Sequence, residues 1–167
     1  MHIELMRDGA HRFPKISAPL DVTSARIWHC KYESLEALSQ FTNLRSLVVA
    51  SYPDSTLELL SGLTDLASLE ILHLPQVTSL EPLSQLQNLR KLSLRTLPSW
   101  DASSKVTAVA SLAPLAALPV LEELELLGVV PESRLVDDLF RCRSLVRVRL
   151  SRYPAREQQR VHEQFAA

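Results

Sequence analysis

The chain has 167 residues, with 18 Lys+Arg against 19 Asp+Glu and a formal net charge of −1. That length supports one domain with a real core, and the 46% hydrophobic content excludes a disordered chain. The charge balance argues against a protein that holds nucleic acid by neutralising phosphate. The isolated glycines Gly9, Gly62 and Gly128 form neither a dinucleotide fingerprint nor a phosphate loop.

The first ten residues, MHIELMRDGA, carry Glu4, Arg7 and Asp8 and no apolar run of signal-peptide length. No stretch of about 18 apolar residues follows anywhere, and neither Asn43 nor Asn88 heads a glycosylation sequon. The expectation is a soluble cytoplasmic protein without a membrane partner. His2–Met6 alternates polar and apolar residues, which predicts a front strand paired with Phe13–Ile16. Residues 1–19 are read as an N-terminal cap.

From about residue 20 to 153 the chain repeats. Leu80, Leu83, Leu86, Leu89, Leu92 and Leu94 are spaced three, three, three, three and two. The same steps recur at Leu35–Val49, Leu60–Leu74, Leu112–Leu126 and Val136–Leu150, and a degenerate first copy keeps Val22, Ala25, Ile27 and Cys30. This frame starts at Val22, Leu44, Leu69, Leu89, Leu121 and Leu145, at intervals of 22, 25, 20, 32 and 24. A step of two belongs to a strand; steps of three suit a 3₁₀ or short helical return. A single unit cannot cover its leucine face, so about six units must stack. The long interval holds an insertion near residues 98–111. After Pro154 the segment AREQQRVHEQFAA predicts a capping helix over 154–167, with Val161 and Phe165 as its buried stripe.

SLEALSQFTNLRSLVV and SLEPLSQLQNLRKLSL resemble the leucine-rich repeats of bacterial internalin-type proteins. The resemblance covers about residues 20–153. It implies an α/β solenoid: a right-handed superhelix with a parallel concave sheet and a short helical or 3₁₀ convex side. It also implies recognition of another protein rather than catalysis. The family usually places Asn or Cys just after the strand, where it bonds the turning backbone. Here those places hold Cys30, Tyr52, Val77, Leu97, Val129 and Tyr153, so the turn N–H groups need other partners.

In that frame three columns face away from the core. They read Ser24, Ser46, Ile71, Lys91, Glu123, Arg147; then Arg26, Val48, His73, Ser93, Glu125, Arg149; then Trp28, Ala50, Pro75, Arg95, Leu127, Ser151. The front half holds an apolar cluster of Trp28, Val48, Ile71 and Pro75, and the back half alternates in charge. Glu123 and Glu125 either pair with basic residues one strand away or leave Arg147, Arg149 and Arg152 to meet an acidic partner. Trp28 is either an aromatic anchor or a ring lying against the cap. Trp100, in the insertion, either pins its loop or joins the contact. The sheet alone offers a few hundred Å² where a stable interface takes about 800 Å² per partner. The rim with Trp28, Tyr52, Trp100 and Tyr153 must therefore contribute. The candidate partner-binding residues are Arg26, Trp28, Val48, Ile71, His73, Lys91, Arg95, Trp100, Glu123, Glu125, Arg147 and Arg149.

No catalytic constellation stands out. Cys30 and Cys142 fall on core points of the repeat, where a thiol is a small hydrophobe, and the five histidines lack metal-ligand spacing. Adjacent acidic pairs, Glu122–Glu123 and Asp137–Asp138, point apart in a regular element. No cofactor or metal is expected, and the chain is read as a monomer unless the solenoid edges pair. The reading is a protein-binding module of adaptor, inhibitor, effector or immunity type. The alternatives are a repeat domain or accessory subunit of a larger enzyme system and, less favoured, a nucleic-acid binder through the C-terminal arginines.

Overall fold

The computed structural model describes residues 1–167. The steps of two become strands: β1 (His2–Met6), β2 (Ser24–Trp28), β3 (Ser46–Ala50), β4 (Ser68–Leu72), β5 (Lys91–Arg95), β6 (Thr107–Val109), β7 (Glu123–Leu127), β8 (Val129–Pro131) and β9 (Arg147–Ser151). Three short helices join them: α1 (Pro98–Ala102), α2 (Ala113–Ala116) and α3 (Ala155–Gln164). One parallel sheet runs in the order β1-β2-β3-β4-β5-β7-β9. A leucine-rich repeat solenoid is the result.

The steps of three become 3₁₀ bonds between the apolar residues themselves. The Leu38 N–H donates to the Leu35 carbonyl at 2.9 Å, Phe41 to Leu38 at 3.0 Å and Leu44 to Phe41 at 2.9 Å. In 3₁₀ geometry residues three apart eclipse, so each such run makes one continuous apolar ridge. Equivalent ridges run through Leu80–Leu89 and Val136–Leu145. A hydroxyl starts each one by accepting the N–H two residues on: Ser34 from Glu36 (3.1 Å), Thr56 from Glu58 (3.4 Å), Ser79 from Glu81 (3.1 Å) and Ser133 from Leu135 (3.2 Å). One buried cluster extends through all the coils, from Val22 to Val161.

The ridge geometry corrects the third repeat. Its 3₁₀ bonds link Leu57, Leu60, Leu63 and Leu66, and β4 sets Leu69, not Leu66, opposite Leu47 and Leu92. The frame starts are therefore 22, 44, 66, 89, 121 and 145, and Leu69 is the first inward residue of its strand. Ile71 consequently points into the core and is fully buried, so its assignment to the exposed face is wrong. His73 and Pro75 lie beyond β4 rather than on it.

Past every strand of the main sheet except β5, which leads into the insertion, the chain turns through a residue with positive φ: Arg7 (50°), His29 (50°), Ser51 (68°), His73 (68°), Gly128 (78°) and Arg152 (68°). Their N–H groups reach the neighbouring coil: Arg7 to the Trp28 carbonyl at 2.8 Å, His29 to Ala50 at 3.0 Å, Ser51 to Leu72 at 2.8 Å and His73 to Arg95 at 2.7 Å. Backbone carbonyls thus do what an Asn ladder does elsewhere, which answers the missing asparagines. Tyr52 and Tyr153 fill the vacated positions. Both rings are buried, and their hydroxyls donate to the Thr56 and Val129 carbonyls at 2.7 and 2.8 Å. They are not rim residues.

The insertion leaves after β5, forms α1, and returns as β6, which pairs in parallel with β8 in a separate two-stranded sheet. At the front, β1 pairs with β2 in parallel, as a seventh strand of the main sheet. Phe13–Ile16 is not a strand; Phe13 instead tilts against Tyr32 and Phe41. At the back, α3 lays Val161 and Phe165 on the last coil. Glu157, 4% exposed, accepts the buried Val136 N–H at 3.0 Å and pairs with Arg160 at 2.9 Å.

Candidate functional site

The strand registers place three columns on the outward face of the sheet. The first is His2, Ser24, Ser46, Ser68, Lys91, Glu123 and Arg147; the second is Glu4, Arg26, Val48, Glu70, Ser93, Glu125 and Arg149; the third is Met6, Trp28, Ala50, Leu72, Arg95, Leu127 and Ser151. Of the sequence-derived candidates, Arg26, Trp28, Val48, Lys91, Arg95, Glu123, Glu125, Arg147 and Arg149 lie in these columns. His73 and Trp100 lie on the adjoining rim, and Ile71 is in the core. The misplaced frame hid Glu70 and Leu72, and Glu4 and Met6 come from a strand read only as part of a cap.

The back half of the face is a chain of ion pairs. Arg95 pairs with Glu70 on one side, and its Nε lies 3.7 Å from Glu125 on the other. Glu125 also accepts from Arg149 at 2.5 Å and from the Ser93 hydroxyl at 2.8 Å. Lys91 meets Glu123 at 3.5 Å. These groups span four adjacent strands and line a shallow depression of about 440 Å³ with Arg147, which has no carboxylate partner. Pairing one strand away therefore accounts for Arg149. Arg152 leaves the face altogether: its guanidinium holds Asp101 of α1 at 2.8 Å and bonds that residue's carbonyl, clamping the insertion.

The front half is different. Met6 is 47% exposed beside half-buried Trp28, and Ala50 and Leu72 continue the same row. The Arg26 guanidinium, paired with Glu4 at 3.0 Å, stacks over the Trp28 ring at 4.4 Å. The rim above this row is built from residues at the left-handed turn. His29 meets Trp28 edge-on at 5.3 Å and shares a 2.7 Å hydrogen bond with the Ser51 hydroxyl. His73 meets Trp100 edge-on at 5.1 Å, with Lys105 on the same indole at 5.8 Å. Burial holds the His73 imidazole below the usual histidine range, and His29 two coils away pushes in the same direction.

Elsewhere the chemistry is quiet. Burial pushes the Cys142 thiol up to about 11, which makes it a neutral core group. No group of three or more His, Cys, Asp or Glu converges as a metal site would. A polar groove of about 750 Å³ on the convex side runs between the 3₁₀ segments of two coils, lined by Thr56, Glu58, Ser79 and Glu81 among others. No helix is long and apolar enough to cross a membrane.

Among solved structures the chain is similar to two internalins of Listeria monocytogenes. One, InlF, matches 87% of this chain with a TM-score of 0.51 and 16% identity. The other, internalin C2, matches 82% with a TM-score of 0.47 and 23% identity. The chain spans only 46% of the first and 66% of the second. At that identity the likeness is one of fold. No family model matches the sequence. No curated protein matches it either.

Proposed function

We propose that this chain is a non-catalytic module that binds another protein through the front half of its concave face and the adjoining rim. One observation carries the reading. Met6, Trp28 and Leu72 form an apolar row on the face that points away from the core. Trp28, with the Arg26 guanidinium stacked on it, brings together two of the residue types that dominate binding energy when a partner desolvates them, and Met6 and Leu72 flank it with apolar surface. The charged half offers less, because Arg95 is already paired with Glu70 and Arg149 with Glu125. His73 and Trp100 extend the row upward and supply contact area that the flat sheet lacks.

The test is site-specific photo-crosslinking in native lysate, with benzoylphenylalanine at Val48 or Leu72 and, as convex controls, at Glu58 or Thr78. One and the same protein is expected from both concave positions and not from the convex ones. Trp28→Ala should lower its affinity about thirtyfold, a loss of roughly 2 kcal/mol. Equal labelling from both faces, or unchanged capture by the Trp28 variant, removes the reading.

A further inference from the structure

The two edges of the main sheet are finished differently. At β9 the chain folds back on itself: the Ala166 N–H donates to the Val146 carbonyl and the Ala166 carbonyl accepts from the Val148 N–H, each at 2.9 Å. At β1 no residue of this chain pairs with the outer edge. The ends of the β1–β2 ladder fix which groups are left over. The Met1 carbonyl accepts from Ser24 at 3.4 Å, and the Arg7 N–H donates to Trp28 at 2.8 Å. Parallel pairing alternates, so odd-numbered residues of β1 bond to β2, and the N–H and C=O groups of His2, Glu4 and Met6 point outward. The strand carries no proline, lysine or bulge to block pairing, and its one carboxylate, Glu4, is already held by Arg26. The apolar end of the solenoid is also incompletely covered: Ile3 and Leu5 are only partly buried, and Met1 and Leu20 are 53% and 59% exposed.

We infer that β1 pairs antiparallel with β1 of a second copy of this chain, about a two-fold axis at Ile3. The outward groups sit on even-numbered residues, so a symmetric pairing near the middle of the strand puts the axis at Ile3, Glu4 or Leu5, and an axis at Leu5 sets Glu4 against the partner's Met6, where its carboxylate has nothing to pair with. An axis at Glu4 sets two carboxylates directly opposite, which is destabilising. An axis at Ile3 sets His2 opposite the partner's Glu4, twice over by symmetry. On the other face, Ile3 meets the partner's Ile3 and Met1 meets the partner's Leu5. The side chains are prepared for this. His2 uses Nδ1 on the Ser24 hydroxyl at 2.6 Å, which leaves Nε2 free. Glu4 gives Oε1 to Arg26 at 3.0 Å, which leaves Oε2. A two-fold perpendicular to the sheet keeps both concave faces on one side. It extends one sheet across both copies and brings the two Met6–Trp28 rows near the junction. The dimer stands or falls independently of what docks on that face. The contact is confined to one five-residue strand and its immediate neighbours, well short of the roughly 20–30 residues a side of a standard interface, which points to a weak, reversible dimer.

Sedimentation equilibrium of the 167-residue chain, from about 5 to about 500 μM, reads the association directly. The weight-average mass should climb from 18.7 kDa toward twice that value. Glu4→Pro removes an outward N–H that β2 does not use, at an edge position that tolerates proline, and should weaken the dimer at least about tenfold with circular dichroism unchanged. Glu4→Lys should weaken it comparably, and the swapped pair His2→Glu/Glu4→Lys should restore it. The swap carries the test even if the proline variant loses its fold. A chain that stays monomeric throughout, a dimer indifferent to Glu4→Lys, or a swap that fails to restore association each overturns the proposal.

Discussion

Gly128 is where the insertion's return meets the left-handed ladder, and replacing it with alanine tests that geometry. Two costs add. Its φ of 78° is a conformation that disfavours an L side chain by about 1–2 kcal/mol. A Cβ built there would also fall inside contact distance of the Thr96 hydroxyl, 3.0 Å from Thr96 Cγ2 and 3.2 Å from its Cβ. Thr96 cannot simply swing away, because it is buried and its hydroxyl bonds the Leu127 carbonyl at 3.3 Å. Overpacking of this kind costs about 1–3 kcal/mol. The expected loss for Gly128→Ala is therefore about 2–5 kcal/mol, read by urea unfolding followed by circular dichroism. Thr96→Ala alone should cost about 1 kcal/mol through its hydroxyl. In the double variant the clash is relieved, so the two losses should fall short of additivity by about 1–3 kcal/mol. A Gly128→Ala loss under about 0.5 kcal/mol, or strict additivity with Thr96→Ala, would refute the packing argument. The converse substitution, Arg7→Gly at φ 50°, removes strain without touching a side-chain hydrogen bond and should raise stability by up to about 1 kcal/mol.

Ile71→Ala and Leu72→Ala separate the two frames of the third repeat. The first empties a fully buried site and should cost about 2–5 kcal/mol, the second trims a half-buried outward residue and should cost under about 1.5 kcal/mol, and the reverse ranking in urea unfolding would reinstate the sequence-derived frame. Glu157→Ala strands the buried Val136 N–H and leaves Arg160 to Asp137 alone, so it should cost about 1–3 kcal/mol and raise hydrogen exchange across α3 before the rest of the chain. Trp100→Ala should uncover His73 and move its imidazole back up toward 6.5 in an NMR titration, and no movement would show that the Trp100 ring is not what buries it. The sign for stability follows. The folded His73 binds its proton less readily than the unfolded chain, so its contribution is present above about pH 6.5 and is lost as pH falls through the lowered folded value; His73→Gln should flatten that acid limb.

The ridges were legible because 3₁₀ bonding makes residues three apart eclipse, and that leaves an unmistakable imprint in leucine spacing. The same regularity caused the one frame error. Leucines run in steps of three without a break from Leu57 to Leu72, so the six-point pattern fits equally well when it starts at Leu57 or at Leu60. Only the strand decides, and it does so through Ser68, aligned with Ser46 and Lys91, and through the hydroxyl of Thr56 that opens the ridge. Coil length also held a clue, since starts at 44, 66 and 89 space the coils more evenly than 44, 69 and 89. The β6–β8 pairing was beyond reach because three residues, Thr107–Val109, are too few to announce a strand without their partner.

The charges sort by what they must hold. Glu125 takes Arg149 from its own column one strand away and Arg95 diagonally from the next column, so opposite charges on adjacent strands pair with one another. Arg152, one residue past β9 at a left-handed turn, points instead at α1, and no spacing rule foretells that its partner is Asp101, 51 residues earlier. Besides the β6–β8 pairing, two side-chain contacts fix the insertion at α1: Arg152 from the last coil and His73 from the third, which meets Trp100. Trp100 and Asp101 are neighbours on α1, so the contact with His73 and the clamp from Arg152 act on one short helix. Asp101→Ala should therefore be felt at His73, as a shift of its ring signals in NMR, although no charge connects the two; unmoved signals would show that the two contacts are independent.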